Sequence, residues 1–114
     1  SMKASLDVLK DGAGRRVAIL GDMGELGENE VQLHAEVGEH AAQCGIDVCI
    51  CIGPLSANIA KMARKNPELI VIEEPDRDSL LSHLSDYVQT GDTILVKASH
   101  FMQFEKVVAA LQEM

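Results

Sequence analysis

The chain has 114 residues, 46% of them hydrophobic and 25% charged, and a formal net charge of −8 at neutral pH. That length suits one domain, residues 1–114, able to bury about two-thirds of its unfolded surface, while the acidic balance without any Lys or Arg cluster excludes nucleic acid and anionic membrane as partners. Apolar runs fall short of the ~20 residues of a membrane span and no basic-then-apolar leader opens the chain, so a cytoplasmic protein is expected.

In chain order, Ser1 is placed to cap a first helix whose inner face holds Leu6 and Leu9, and Gly12 to Gly14 end it. Arg16 to Leu20 reads as a strand, followed by the glycine-rich run GDMGELG from Gly21 to Gly27. Asn29 and Gln32 have the spacing of a capping box, ahead of a helical stripe of Leu33, Val37, Ala41 and Cys44. A second strand covers Asp47 to Ile52. Its Cys49 and Cys51 are two apart and share one face, where they pack as small apolar side chains, zinc ligation being the alternative. Three cysteines within eight residues make a poor disulfide framework, which also fits the cytoplasm.

Leu55, Ile59, Met62 and Ala63 form the next helical stripe, and Leu69 to Glu73 the third strand. Asp76 is a candidate cap for a helix carrying Leu80, Leu81, Leu84 and Val88. Thr93 to Lys97 is the fourth strand, and Phe104, Val107, Val108 and Leu111 mark the last helix. Each strand is short and continuously apolar, as a strand buried on both faces should be. Strands separated by helices pair in parallel, which predicts an α/β fold: a Rossmann-like three-layer α/β/α sandwich with a mainly parallel sheet. Such folds usually open on a strand, so the first strand is expected to be missing upstream. Its loss would leave an edge of unpaired backbone groups that favours a dimer.

In a parallel sheet the loops after the strands share one rim. Here they are Gly21 to Glu28, Gly53-Pro54, Glu74-Pro75 and Ala98 to Met102. The first brings Asp22 and Glu25 together, two carboxylates suited to a cationic group. Lys97, Ser99 and His100 gather a cation, a hydroxyl and an imidazole suited to a carboxylate. Acids on one loop and bases on another fit a zwitterion. Ordinary roles stay open beside these: turn and capping chemistry for GDMGELG, solvation for Lys97, a cap for Ser99 and an exposed loop position for His100. GDMGELG matches neither G-x-G-x-x-G nor G-x-x-x-x-G-K-[ST], so nothing in the chain is built to hold a nucleoside triphosphate by itself.

GDMGELG, followed after six residues by His34, then Val37-Gly38, the stretch CGIDVCICIGP from Cys44 to Pro54, and GDTILVKASHFMQFEKVV from Gly91 to Val108, resembles the C-terminal domain of the Mur ligases over nearly the whole chain. The resemblance is to the branch that joins D-alanyl-D-alanine to UDP-N-acetylmuramoyl-tripeptide. It implies that ATP and Mg belong to the full-length enzyme and to its central domain, that the UDP-sugar sits on further domains, and that this domain brings in the dipeptide. The tripeptide carboxylate would be phosphorylated and then attacked by the dipeptide amine. Asp22 and Glu25 then become the candidates beside the amine, and His34 matches a histidine of the next helix, either at the substrate or orienting the loop. Lys97-Ala98-Ser99-His100 matches the family's K-G-S-R with two departures: Ala98 narrows the backbone options of a glycine, and His100 lacks the rigid fork of an arginine. Glu105 and Phe104 follow the family's pattern too, Phe104 as a core residue. The family's D-x-Y-N-A-N-P segment would precede Ser1. No metal ligand set is assigned. The other classes left open are a non-catalytic α/β small-ligand or partner-binding module and a metal site of Asp22, Glu25 and His34.

Overall fold

A computed structural model describes residues 1–24 and 26–114. Helix α1 spans Met2–Leu9, with Ser1 Oγ accepting from the Ala4 amide at 3.3 Å and Met2, Leu6 and Leu9 turned inward. Then follow β1 (Arg16–Gly21), α2 (Glu30–Gln43), β2 (Val48–Ile52), α3 (Ala57–Ala63), β3 (Ile70–Glu74), α4 (Arg77–Tyr87), β4 (Thr93–Lys97) and α5 (Glu105–Gln112). Single 3-10 turns at Gly27–Asn29 and His100–Met102 precede α2 and α5.

All strand pairs are parallel, in the order β3-β2-β1-β4. Side chains alternate across the pleat, so Ala18, Leu20, Cys49 and Cys51 join one core with α1, α2 and α3, while Val17, Ile19, Val48, Ile50 and Ile52 join a second with α4 and α5. This division of helices follows from crossover handedness. The chain steps from β1 to β2 to β3 in one direction, then returns across the sheet to β4. A crossover that reverses direction must switch faces to keep its hand, and α4 does so. Each fully buried Leu or Ile of these cores contributes about 1.5–3 kcal/mol relative to exposure.

The expectation that every strand is buried on both faces holds for β1 and β2 and fails for β3 and β4. Ile70 is 53% exposed, and Ile94, Leu95 and Val96 are only partly covered, because these two strands are the edges of the sheet. Val108, on the last helix, is exposed as well.

Local corrections have equally local causes. Asn29 makes no side-chain cap; its backbone is already near-helical after the preceding 3-10 turn, and Gln32 donates to Glu36 at 3.5 Å instead. The buried stripe of α2 runs through His34, Val37, Gly38 and Ala41, leaving Leu33 and Cys44 at its margins. Gly38 decides this rotation, since a Cβ there would lie 2.2 Å from the Ile59 carbonyl oxygen, and α2 lies directly against α3. Leu55 lies in the turn before α3. Asp76 caps α4 through the Ser79 amide at 2.8 Å, and Val88 turns extended past the helix end while staying buried.

At the foot of the sheet Arg15 grips Asp92 through Nε at 3.1 Å and Nη2 at 2.9 Å, and the Gln89 amide donates to the same carboxylate. The Arg15 guanidinium holds the Asp92 carboxyl below its ordinary value. Stability from this pair is therefore complete above the ordinary carboxylate value, about pH 4, and is lost as pH falls further. Asp92→Asn is expected to cost about 1–2 kcal/mol at pH 7 and to flatten the acid side of a plot of Tm against pH. A variant with wild-type Tm at pH 7 would contradict this.

Candidate functional site

Reversal of strand order places the crevice of such a sheet at the carboxyl ends of β1 and β4. Gly21 lets β1 leave the sheet there: a Cβ would stand 2.7 Å from the Phe104 ring and 2.8 Å from the Ala98 methyl. The next residue, Asp22, is 4% exposed, and its main-chain oxygen accepts from the Ser99 amide at 3.0 Å. Its side chain turns the other way, under Gly53, where Oδ1 accepts from the Ser56 amide and the Ser56 hydroxyl, both at 2.8 Å. Gly53 has φ +107, and any Cβ there would lie 2.7 Å from that carboxylate. Asp22 thus binds the β2–α3 turn.

His34 is fully buried. Its Nδ1 donates to the Glu30 carbonyl at 2.6 Å and its Nε2 accepts from the Met23 amide at 3.0 Å, which assigns the Nδ1–H tautomer from its partners. Nε2 holds the loop after β1, and Nδ1 anchors the ring to the first turn of its own helix, α2. Of the two roles open to His34, the geometry is that of loop orientation. Glu25 lies outside the described residues.

The three residues expected from the β4 end do come together. Lys97 closes β4, exposed and in register with Leu20. Ser99 Oγ is buried and has no hydrogen-bond partner among the described residues. His100 is exposed and opens the 3-10 turn. Gly24, Ser99, His100 and Phe101 line a cleft of about 420 Å³. A second depression of about 230 Å³ runs from Val96 to His100 and along Phe104, Glu105 and Val108. Ala98, in place of glycine, fits because its methyl packs toward the Gly21 backbone.

Two residues of this rim escaped the sequence reading. Arg77, at the start of α4, reaches the Met102 carbonyl and Gln103 Oε1, each at 3.4 Å, and Gln103 holds the left-handed conformation (φ 53) that turns the chain into α5. Beyond an exposed pairing with Asp78, nothing local distinguishes Arg77, since its partners on the rim are 25 and 26 residues away. Phe101 is 65% exposed on the cleft wall. Spacing does not set it apart from the core, since three residues before Phe104 is in phase with the stripe of α5. The loop after β3 differs from expectation as well, because Glu74 ends the strand and turns into the α4 layer. There it accepts from the Tyr87 hydroxyl at 2.5 Å and His83 Nδ1 at 3.0 Å, and the Tyr87 hydroxyl is pushed up to about 12.

Cys49 and Cys51 pack in the core with their sulfurs 3.7 Å apart. Among the described residues no three His, Cys, Asp or Glu side chains stand together as a metal site, and no helix is long and apolar enough to cross a membrane.

A doubly wound parallel sheet with its cleft at the order reversal defines a Rossmann-like α/β domain. Comparison narrows the class. The family model described as "Mur ligase, glutamate ligase domain" matches residues 1–100. The UDP-N-acetylmuramoyl-tripeptide--D-alanyl-D-alanine ligase of Escherichia coli K12 is 36% identical over 99% of this chain, and that of Bacillus subtilis 35% over 99%, covering 24% and 25% of those proteins. A crystal structure of MurF from Acinetobacter baumannii superposes with a TM-score of 0.85 at 28% identity, over 100% of this chain and 26% of that one. MurF from Thermotoga maritima, in complex with ADP, gives 0.75 at 26% identity over 98% and 25%. The chain belongs to the Mur ligase family and spans about a quarter of the length of these relatives.

His34→Ala removes the acceptor of the Met23 amide, in a fully buried setting. It is expected to cost about 2–4 kcal/mol in denaturant unfolding and to shift the Met23 and Gly24 amide resonances. A loss under about 0.5 kcal/mol would contradict the bracing role.

Proposed function

We propose that this chain is the amino-substrate-binding module of an ATP-dependent ligase that joins D-alanyl-D-alanine to UDP-N-acetylmuramoyl-tripeptide, the reaction its relatives are named for. The reading treats residues 1–114 as one module working in the cytoplasmic synthesis of peptidoglycan precursor. The observation that carries it is the grouping at the order-reversal cleft of Lys97, His100 and the Ser99 hydroxyl, which has no partner among the described residues. These groups supply positive charge and hydrogen-bond donors to the dipeptide carboxylate. His100, where the family pattern has arginine, offers separate N–H donors in place of a planar fork, so alignment of that carboxylate falls mainly to Lys97 and Ser99.

Asp22 is a positioning residue in this scheme. Its carboxylate holds the β2–α3 turn and its carbonyl holds Ser99, so it sets the spacing between the two rim loops. An amine attacks only when unprotonated, and an acid near it first holds the ammonium and then takes its proton. The sequence has no phosphate loop, so in this reading ATP and Mg are held elsewhere in the ligase. The module binds and orients, and by itself is inactive toward ATP.

A site shared among domains binds weakly in one of them, and a Kd of about 1 mM corresponds to only about −4 kcal/mol. NMR titration of the isotope-labelled chain detects that range. D-alanyl-D-alanine is expected to shift the amides of Gly24, Lys97, Ser99 and His100 more than L-alanyl-L-alanine does. Equal shifts for both, or shifts elsewhere on the surface, would overturn the reading in favour of a module for another ligand or a protein partner.

A further inference from the structure

The chain has two phenylalanines, and they lie on opposite sides of the rim. Phe104 is 6% exposed in the core and Phe101 is 65% exposed. One exposed apolar side chain is ordinary, but the position of this one is tightly defined. A Cβ on Gly24 would stand 3.2 Å from Phe101 Cε1 and 3.1 Å from Ser99 Oγ, so ring edge and hydroxyl converge beside the same glycine. The loop that carries them is held at both ends, by the Ser99 amide on the Asp22 carbonyl and by Arg77 on Met102 and Gln103. Ser99 Oγ, buried and without a partner among the described residues, calls for a polar group of a ligand, and Phe101 for an alkyl group next to it. Nothing larger than glycine at position 24 would leave that space open.

We infer that Phe101 is a specificity-determining residue: its ring packs against a methyl side chain of the incoming dipeptide while Ser99 takes a polar atom of the same ligand, so that alanyl is selected over glycyl. The inference rests on the reading given under Proposed function and adds to it the residue that senses the substrate side chain. A methyl-sized difference in an apolar contact is worth about tenfold or more in kcat/KM.

The test uses the complete ligase that carries this domain, with D-alanyl-D-alanine and glycylglycine as alternative substrates at saturating ATP. Phe101→Ala is expected to reduce the ratio of their kcat/KM values by about tenfold, mainly through KM for the alanyl dipeptide, and Phe101→Leu to restore most of it. Phe101 is exposed, so both variants should unfold at the wild-type Tm. A ratio unchanged by Phe101→Ala, an equal loss for both dipeptides, or a rise in KM for ATP in place of the dipeptide would overturn the inference and leave the ligase reading standing. A wild-type ligase that uses neither dipeptide would overturn the reading itself, and the inference with it.

Discussion

Asp22 is the joint on which this rim depends. Its main-chain oxygen takes the Ser99 amide from the β4 loop, and its carboxylate takes the amide and hydroxyl of Ser56 from the turn after β2. One buried residue therefore ties the ends of three adjacent strands together. Hydrogen bonds to a charged acceptor contribute about 1.5–3 kcal/mol each, and a buried carboxylate left without them would oppose folding. The two donors from Ser56 are what make a buried acid tolerable here, and Gly53 supplies the space, since its lack of a Cβ lets the carboxylate lie beneath the turn.

Around that joint the rim is divided between groups that hold and groups that are free to bind. His34 holds the loop after β1 through Nε2 while Nδ1 fixes its ring to the first turn of α2, and Arg77 and the left-handed Gln103 fix the turn into α5. Ser99 and the Phe101 ring are left to the cleft, and Lys97 to the depression beside it. The Ser99 hydroxyl is buried without a partner among the described residues, which is uncommon in a folded protein, and its place in a cleft at the strand-order reversal favours a ligand-binding role. Rigid backing with a few uncommitted groups in front suits a module that must present a small zwitterion in one orientation.

Much of this architecture was legible in the residues. Val17 to Leu20 and Val48 to Ile52 are too uniformly apolar for anything but strands covered on both faces, and Ser1 and Asp76 cap their helices as their side chains predict. Lys97, Ser99 and His100 are near neighbours in sequence, so any loop brings them together. Asn29 misled because a 3-10 turn ahead of α2 removed the extended backbone a side-chain cap needs. The stripe of α2 was misplaced toward Leu33 because hydrophobicity alone gives no weight to Gly38, whose role is to let Ile59 approach.

The sequence by itself determined the alternation of helix and strand, hence the parallel α/β class, and it marked the two rim loops. Local periodicity and turn chemistry act over a few residues and need no knowledge of the partner. Tertiary structure alone decided that β3 and β4 are edges, that Asp22 faces Ser56 and away from the cleft, that His34 is a brace, and that Phe101 is exposed where Phe104 is buried. Each of these depends on which strands lie side by side. That order is set by the direction and face of the crossovers, which join residues tens of positions apart and leave no trace in the spacing of neighbours.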